Sequence, residues 1–132
     1  MNAPTHPFLT KAHESLDGAQ SEFANSRYNN CANRCYYACF QVAIHALQHA
    51  GIQPGNVQAR WGHDFVQAQF VGMLINRRKN YSTNLRDVLA RALALRRTAD
   101  YRTDAVNKTQ AQRMLRSTQE FLSAINSQES SR

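Results

Sequence analysis

The sequence predicts an all-α fold, an up-and-down helical bundle with short connections, on three observations. Helix breakers are scarce: the chain has five glycines, and its prolines stand only at positions 4, 7 and 54. Apolar residues recur at three- and four-residue spacing through one segment after another, the period of an amphipathic helix. No segment alternates apolar and polar residues with the period of two that a half-buried strand needs, and no internal repeat is visible.

The elements follow in order. Pro7 sits where a first helix can begin, because its fixed φ suits the first helical position, and Phe8, Ala12, Leu16, Ala19 and Phe23 then recur at helical spacing up to Asn25. A second helix is predicted from about Tyr28 to Ala50, closed by Gly51, with GIQPGN as the following turn. Trp61 to about Asn76 reads as a third, with Phe65, Phe70, Val71 and Leu74 as its apolar members and the basic stretch NRRKN behind it. Ser82, Thr83 or Asn84 is the expected cap of a fourth, which carries Leu85, Val88, Leu89, Ala92 and Leu95. Thr109 is the expected cap of the last, with Ala111, Met114, Leu115, Phe121, Leu122 and Ile125. Residues 1–6 and 127–132 are expected to fray from a single domain spanning 1–132.

At 132 residues and 42% hydrophobic content the chain is one domain with enough apolar surface for a core. Its start lacks a signal-peptide pattern, and no apolar run approaches the roughly 18 residues that span a bilayer, so a cytoplasmic location is the expectation. In that compartment thiols stay reduced, and an odd count of three cysteines argues against a disulfide framework. Sixteen Lys and Arg stand against nine Asp and Glu, a net charge of +7, and thirteen of the sixteen are arginine. That bias favours planar, bidentate contacts to phosphate or carboxylate. An anionic partner and a merely basic, solvated surface both fit it.

The stretch RYNNCANRCYYACF, residues 27–40, gathers the three cysteines, two arginines and adjacent tyrosines. Projected at roughly 100° per residue, Tyr28, Cys31, Ala32, Cys35, Tyr36, Cys39, Phe40, Val42, Ala43 and Leu47 form an apolar arc over more than half the helix, which places this helix centrally. The remaining strip holds Arg27, Asn30, Arg34, Gln41, His45 and Gln48. Cysteines at i, i+4 and i+8 put the outer pair about 12 Å apart along the axis at about 1.5 Å per residue. One ion with bonds of about 2.3 Å cannot take all three thiolates from an unbroken helix. No metal and no cofactor are expected, and the cysteines read as small apolar residues that let neighbouring helices approach.

The fourth helix carries an anomaly. Arg96 projects near the middle of the arc formed by Leu85, Val88, Leu89, Ala92, Leu93 and Ala99, whereas Arg86, Arg91 and Arg97 point elsewhere. A guanidinium keeps its charge, so a core-facing one needs an anion or a wet interface. Asp100, four residues on, is the intramolecular candidate. The alternative is that Arg96 lines a polar cleft between helices or subunits, and the two readings are compatible.

The ordered set KAHESLDGAQSEF, RYNNCANRCYYACF, WGHDFVQAQF, LRRTADY and MLRSTQEFLSAI resembles the HEPN domain, in particular its small stand-alone prokaryotic members, from about Phe8 to Ile125. The resemblance implies a bundle of four long helices plus a shorter one, commonly a homodimer with a polar cleft at or near the dimer interface. It further implies RNA or nucleotide binding, and in many members metal-independent ribonuclease activity, as toxins beside a minimal nucleotidyltransferase antitoxin or within defence proteins. By position it points to Arg34 and Tyr37 on the second helix, His63 opening the third, and Arg96, Asp100 and Tyr101; Arg27 joins them as a basic candidate for RNA or nucleotide.

One departure bears on catalysis. Nuclease members pair an arginine with a histidine after four to six intervening residues, the histidine serving as acid or base and the arginine stabilising phosphate charge. Here the five histidines all precede residue 64, and beyond Arg96 the corresponding places hold Arg102, Thr103 and Tyr101. A tyrosine, with a reference pKa of about 10, is a poor base at neutral pH. Three readings follow: a non-catalytic or weakly catalytic module that binds RNA or a nucleotide through arginines and works with a partner; a ribonuclease toxin using Arg96, Asp100 and His63; and a dimeric interaction protein without a nucleic-acid role.

Overall fold

Helix α1 (Pro7–Ala24) starts with proline in its first turn and α2 follows as Tyr28–His49. The computed structural model describes residues 6–55, 60–103 and 105–130. The expected fraying of residues 1–5 and 131–132, and Asn56 of the expected turn, therefore lie outside the described residues.

Both helices end the same way. Arg27 N–H donates to the Glu22 carbonyl at 2.8 Å and Ser26 N–H to Phe23 at 3.0 Å, with Ser26 at φ 60. At the end of α2, Ile52 N–H reaches the Leu47 carbonyl at 2.8 Å and Gly51 N–H that of Gln48 at 3.0 Å, with Gly51 at φ 80. These paired bonds satisfy carbonyls that a helix end leaves open, and they need one left-handed residue. Gly51 takes that conformation without strain, as the sequence indicates; at the end of α1 a serine takes it.

The third element begins at His63 rather than Trp61 and departs from a regular helix. α3 (His63–Gln69) runs on as π-helical backbone through Phe70–Arg77. The wider turn brings Phe70, Leu74 and Ile75 onto one buried face, which an α-helical period would spread apart. Phe70 packs against Phe121 with ring centroids 5.2 Å apart and stacks on Tyr81 at 5.3 Å. Ser82 does cap, but what it caps is a short 3₁₀ turn (Thr83–Leu85): its hydroxyl accepts from Asn84 N–H at 3.2 Å. α4 starts only at Val88 and runs to Tyr101.

The last helix, α5 (Lys108–Ser130), is opened by Asn107, not Thr109. Asn107 Oδ1 accepts from Gln110 N–H at 2.8 Å while Gln110 Oε1 accepts from Asn107 N–H at 3.0 Å. This reciprocal pair is a capping box with Asn and Gln in its two places. The helix continues through residues 127–130, where the sequence suggested a frayed tail.

α2 packs on α1, α3, α4 and α5 and is the central rod of this all-helical fold, whose described residues include no strand. Its three cysteines are fully buried. So are Ala38, Ile44 and Ala46 outside the projected arc, because helices cover α2 on nearly every side. His45, placed on the polar strip by the projection, is only 3% exposed. The largest enclosed side chains are Phe70, Phe121, Ile44, Leu47 and Leu74, each contributing about 1.5–3 kcal/mol relative to exposure. The apolar face of α2 is thus satisfied within one chain. Among the described residues Tyr101 is the large hydrophobic side chain left exposed.

Candidate functional site

The register of α4 buries Val88, Leu89, Ala92 and Leu93, and seven residues after Leu89 the same face delivers Arg96 against the first half of α2. Its guanidinium carbon lies 4.9 Å from the ring centroid of Tyr36 and 5.2 Å from that of Tyr37. Contacts of this kind are worth about 0.5–2 kcal/mol, more as water is removed. Arg96 Nε donates to Asp100 Oδ2 at 3.3 Å, the two side chains being 23% and 28% exposed. From α2, the Asn33 amide donates to both Asp100 oxygens at 3.3 and 3.4 Å. The predicted pair is present, and it sits in a half-open aromatic notch, neither in the dry core nor in free solvent.

The floor of the notch is aromatic. Tyr36 stacks on Phe40 with centroids 5.6 Å apart and meets Tyr37 edge-on at 5.2 Å. Burial raises the Tyr36 hydroxyl above its ordinary pKa, opposed by the nearby Arg96 charge, so this phenol keeps its proton at neutral pH. Nearby, Asn29 Oδ1 accepts from Val106 N–H at 2.8 Å and ties the entry to α5 onto the start of α2.

The chain brings Arg96, Asp100 and Tyr37 together and leaves other candidates elsewhere. Tyr101 follows Asp100 and projects outward at 76% exposure. Arg34 crosses to the α1 side, where its Cγ and Cδ lie over Gly18 and would stand 3.7–3.8 Å from a Cβ added there. Arg27 pairs loosely with Glu22 at 3.8 Å. His63 pairs with its neighbour Asp64 at 3.3 Å. Trp61, just before it, meets Phe8 at the start of α1. No hydrogen bond, ion pair or ring contact joins His63 to Arg96 or Asp100 among the described residues.

Two members escaped the sequence reading as site residues, Asn33 and Tyr36. The available signal was spacing: Asn33, Tyr36, Tyr37 and Phe40 follow i, i+3, i+4, i+7 along one stripe of α2. The polar residue of α2 that meets the Arg96 group is Asn33, next in sequence to the anticipated Arg34.

The cysteines lie deeper on α2. Cys39 donates to Thr118 Oγ1 at 3.5 Å, and Thr118 in turn donates to the Met114 carbonyl at 2.8 Å. Burial pushes the Cys39 thiol up to about 12. A hydrogen bond with Cys31, then burial, raises that of Cys35. Both remain neutral thiols, chemically closer to small apolar groups than to ligands. Among the described residues no three His, Cys, Asp or Glu side chains are arranged to hold a metal ion, and no helix is long and apolar enough to cross a membrane.

Two comparisons with known proteins bear on this arrangement. No curated protein sequence matches the chain. The family model of the HEPN domain matches residues 6–128.

Proposed function

Because the chain belongs to the HEPN family, we propose that it binds RNA or a nucleotide at the Arg96 notch, as a non-catalytic or weakly catalytic member of a toxin-antitoxin or defence-type module. One observation carries the reading. Arg96 donates its Nε to Asp100 and is also hydrogen-bonded to Tyr36, yet its side chain stays 23% exposed. A guanidinium oriented by a carboxylate, set over two aromatic rings and still reached by solvent is placed to turn a donor toward phosphate. Arg97 on the solvated side and the exposed Tyr101 supply a second charge and a stacking surface for a base. Homodimerisation through this end of a bundle of four long helices and a shorter one, and a separately encoded minimal nucleotidyltransferase as partner, belong to the same proposal and rest on the family.

The ribonuclease alternative loses support within a single chain, since His63 is not beside Arg96. The interaction-protein alternative draws on a specific fact: Arg96, Asp100 and Asn33 close a network of their own. Labelled single-stranded RNA titrated at low and high salt separates the readings. We expect binding that weakens steeply with salt, because phosphate contacts release counterions. We also expect loss of at least tenfold in affinity in Arg96→Ala, without cleavage of the strand. Equal binding by parent and Arg96→Ala would transfer the site elsewhere, and no binding at either salt would leave the interaction role.

A further inference from the structure

We infer that His45, His6, His49 and Glu129 form a proton-operated latch, which holds the start of α1 and the end of α5 to the end of α2 at neutral pH and releases them on acidification. The group lies outside the Arg96 notch and does not depend on what that notch binds.

The geometry is specific. His45 is the one histidine in the buried set of described residues, and its Nε2 faces Glu129 Oε1 in the last turns of α5. The same carboxylate oxygen is 3.9 Å from His49 Nδ1, one turn further along α2. His6, the residue that precedes α1, presents its ring edge-on to His45 with centroids 5.3 Å apart. His6, His45, Gln48 and His49 line a cavity of about 220 Å³. Three elements therefore meet through three imidazoles and one carboxylate, and two of the three are the first and last helices described. The charged and titratable groups acting on His45 are Glu129, His6 and His49; on the neighbouring α1–α5 seam, His13 Nε2 is 3.5 Å from Asn126 Nδ2.

This is not a metal centre as it stands. The ring centroids of His45 and His49 are 6.4 Å apart with the planes inclined by 29°, a separation too wide for both to bond one ion at about 2.0–2.1 Å with a tetrahedral angle. Its chemistry is that of a proton. With His45 neutral, its Nε2 faces the Glu129 carboxylate without adding a charge to the buried corner. Imidazole is the side chain that changes charge between pH 5 and 8. A proton on His45 would then place a cation where it has almost no water to screen it. Burial, in agreement, holds His45 below its ordinary pKa against the pull of Glu129. The least costly relief is to part His6 and Glu129 from His45, since α2 packs on α1, α3, α4 and α5 and is the harder element to move.

Hydrogen exchange of the full chain, expressed as protection factors to remove the intrinsic effect of pH, tests this at pH 7.5 and 5.5. Residues 6–12 and 122–130 should lose at least tenfold more protection on acidification than residues 88–101, and His45→Gln should remove that difference while His13→Gln keeps it. A uniform loss along the chain, or an end-specific loss that persists in His45→Gln, would overturn the latch. If His45→Gln does not fold, Glu129→Gln decides. Removing the one anion should enlarge the end-specific loss at pH 5.5, and an unchanged or smaller loss counts against the proposal.

Discussion

Arg96 and His45 set an ionisable group against the same helix, one facing the first half of α2 and the other in its last turns, and the protein treats them in opposite ways. Arg96 cannot lose its proton. It is given Asp100, two aromatic faces and a quarter of its side chain in water. His45 can lose its proton, and its side chain is 4% exposed with one carboxylate for company. Depth of burial here follows the ability to shed charge, as the cost of taking a permanent ion out of water requires. The comparison also separates two kinds of function: a fixed charge in a half-open notch suits ligand binding, and a removable one in a closed corner suits response to pH.

The comparison breaks most visibly at Arg96. Arg96→Ala should destabilise the fold by about 2 kcal/mol, less than the 3–5 expected when a fully buried pair is cut, because Asp100 stays 28% exposed and water can reach it. Thermal or urea unfolding of the variant checks this. A loss above about 4 kcal/mol would mean that the notch is a structural joint rather than a place for a ligand. Far-ultraviolet circular dichroism should stay helical, since α4 keeps its buried Val88, Leu89, Ala92 and Leu93.

Acidification is the next largest effect. Burial depresses the folded-state pKa of His45 below its unfolded value of about 6.5. The unfolded chain then binds more protons than the folded one between those two values, so stability is complete above about pH 6.5 and falls as pH drops toward the lower value. One proton sets a slope of up to about 1.4 kcal/mol per pH unit in that window. Urea midpoints measured from pH 7.5 to 5 should decline accordingly, and His45→Gln should flatten the decline. A stability that rises on acidification in that range would mean that Glu129 outweighs burial and that His45 sits charged in the fold.

How much of this was legible beforehand depends on which residues one asks about. The helices, the central place of α2, the terminating Gly51 and the pairing of Arg96 with Asp100 all follow from spacing, because an α-helix fixes which residues share a face. What spacing could not supply is contact between elements distant in sequence. Asn33 reaches Asp100 across 67 positions, and the depth of His45 depends on α5 arriving over it from 84 residues away. A projection of α2 alone puts His45 on the polar strip, since it knows nothing of what covers that strip. The π-helical stretch was illegible for a related reason: Phe70, Leu74 and Ile75 fit a wider turn only because Tyr81 and Phe121 are there to receive Phe70. The cap at Asn107 was legible in principle, as Asn and Gln three residues apart form a capping box.

A smaller effect measures how far Arg96 and Asp100 act as a unit. Asp100→Asn keeps the shape and removes the charge, and the coupling between it and Arg96→Ala should be about 1 kcal/mol, the size of a partly exposed charge-assisted bond. Asn33 would remain bonded to the amide oxygen in Asp100→Asn, so a coupling near zero would assign the hold on Arg96 to the tyrosines alone.

The smallest effect sharpens the comparison through a residue that differs from Arg96 only in direction. Arg97 carries the same charge one position along α4 and is exposed, with no ion pair among the described residues. Arg97→Ala should change stability by no more than about 0.5 kcal/mol, as for surface substitutions away from special features. If RNA is the ligand, it should weaken binding slightly and reduce the slope of log affinity against log salt by at most about one, the share of a single phosphate contact. Arg96→Ala removes one charge as well, and charge alone would therefore give the two variants the same result. Only position, with Tyr36 and Tyr37 fixing one guanidinium and water surrounding the other, predicts a gap of about tenfold or more in affinity between them. Matching affinities for the two variants would reduce the notch to one more part of a diffuse basic surface.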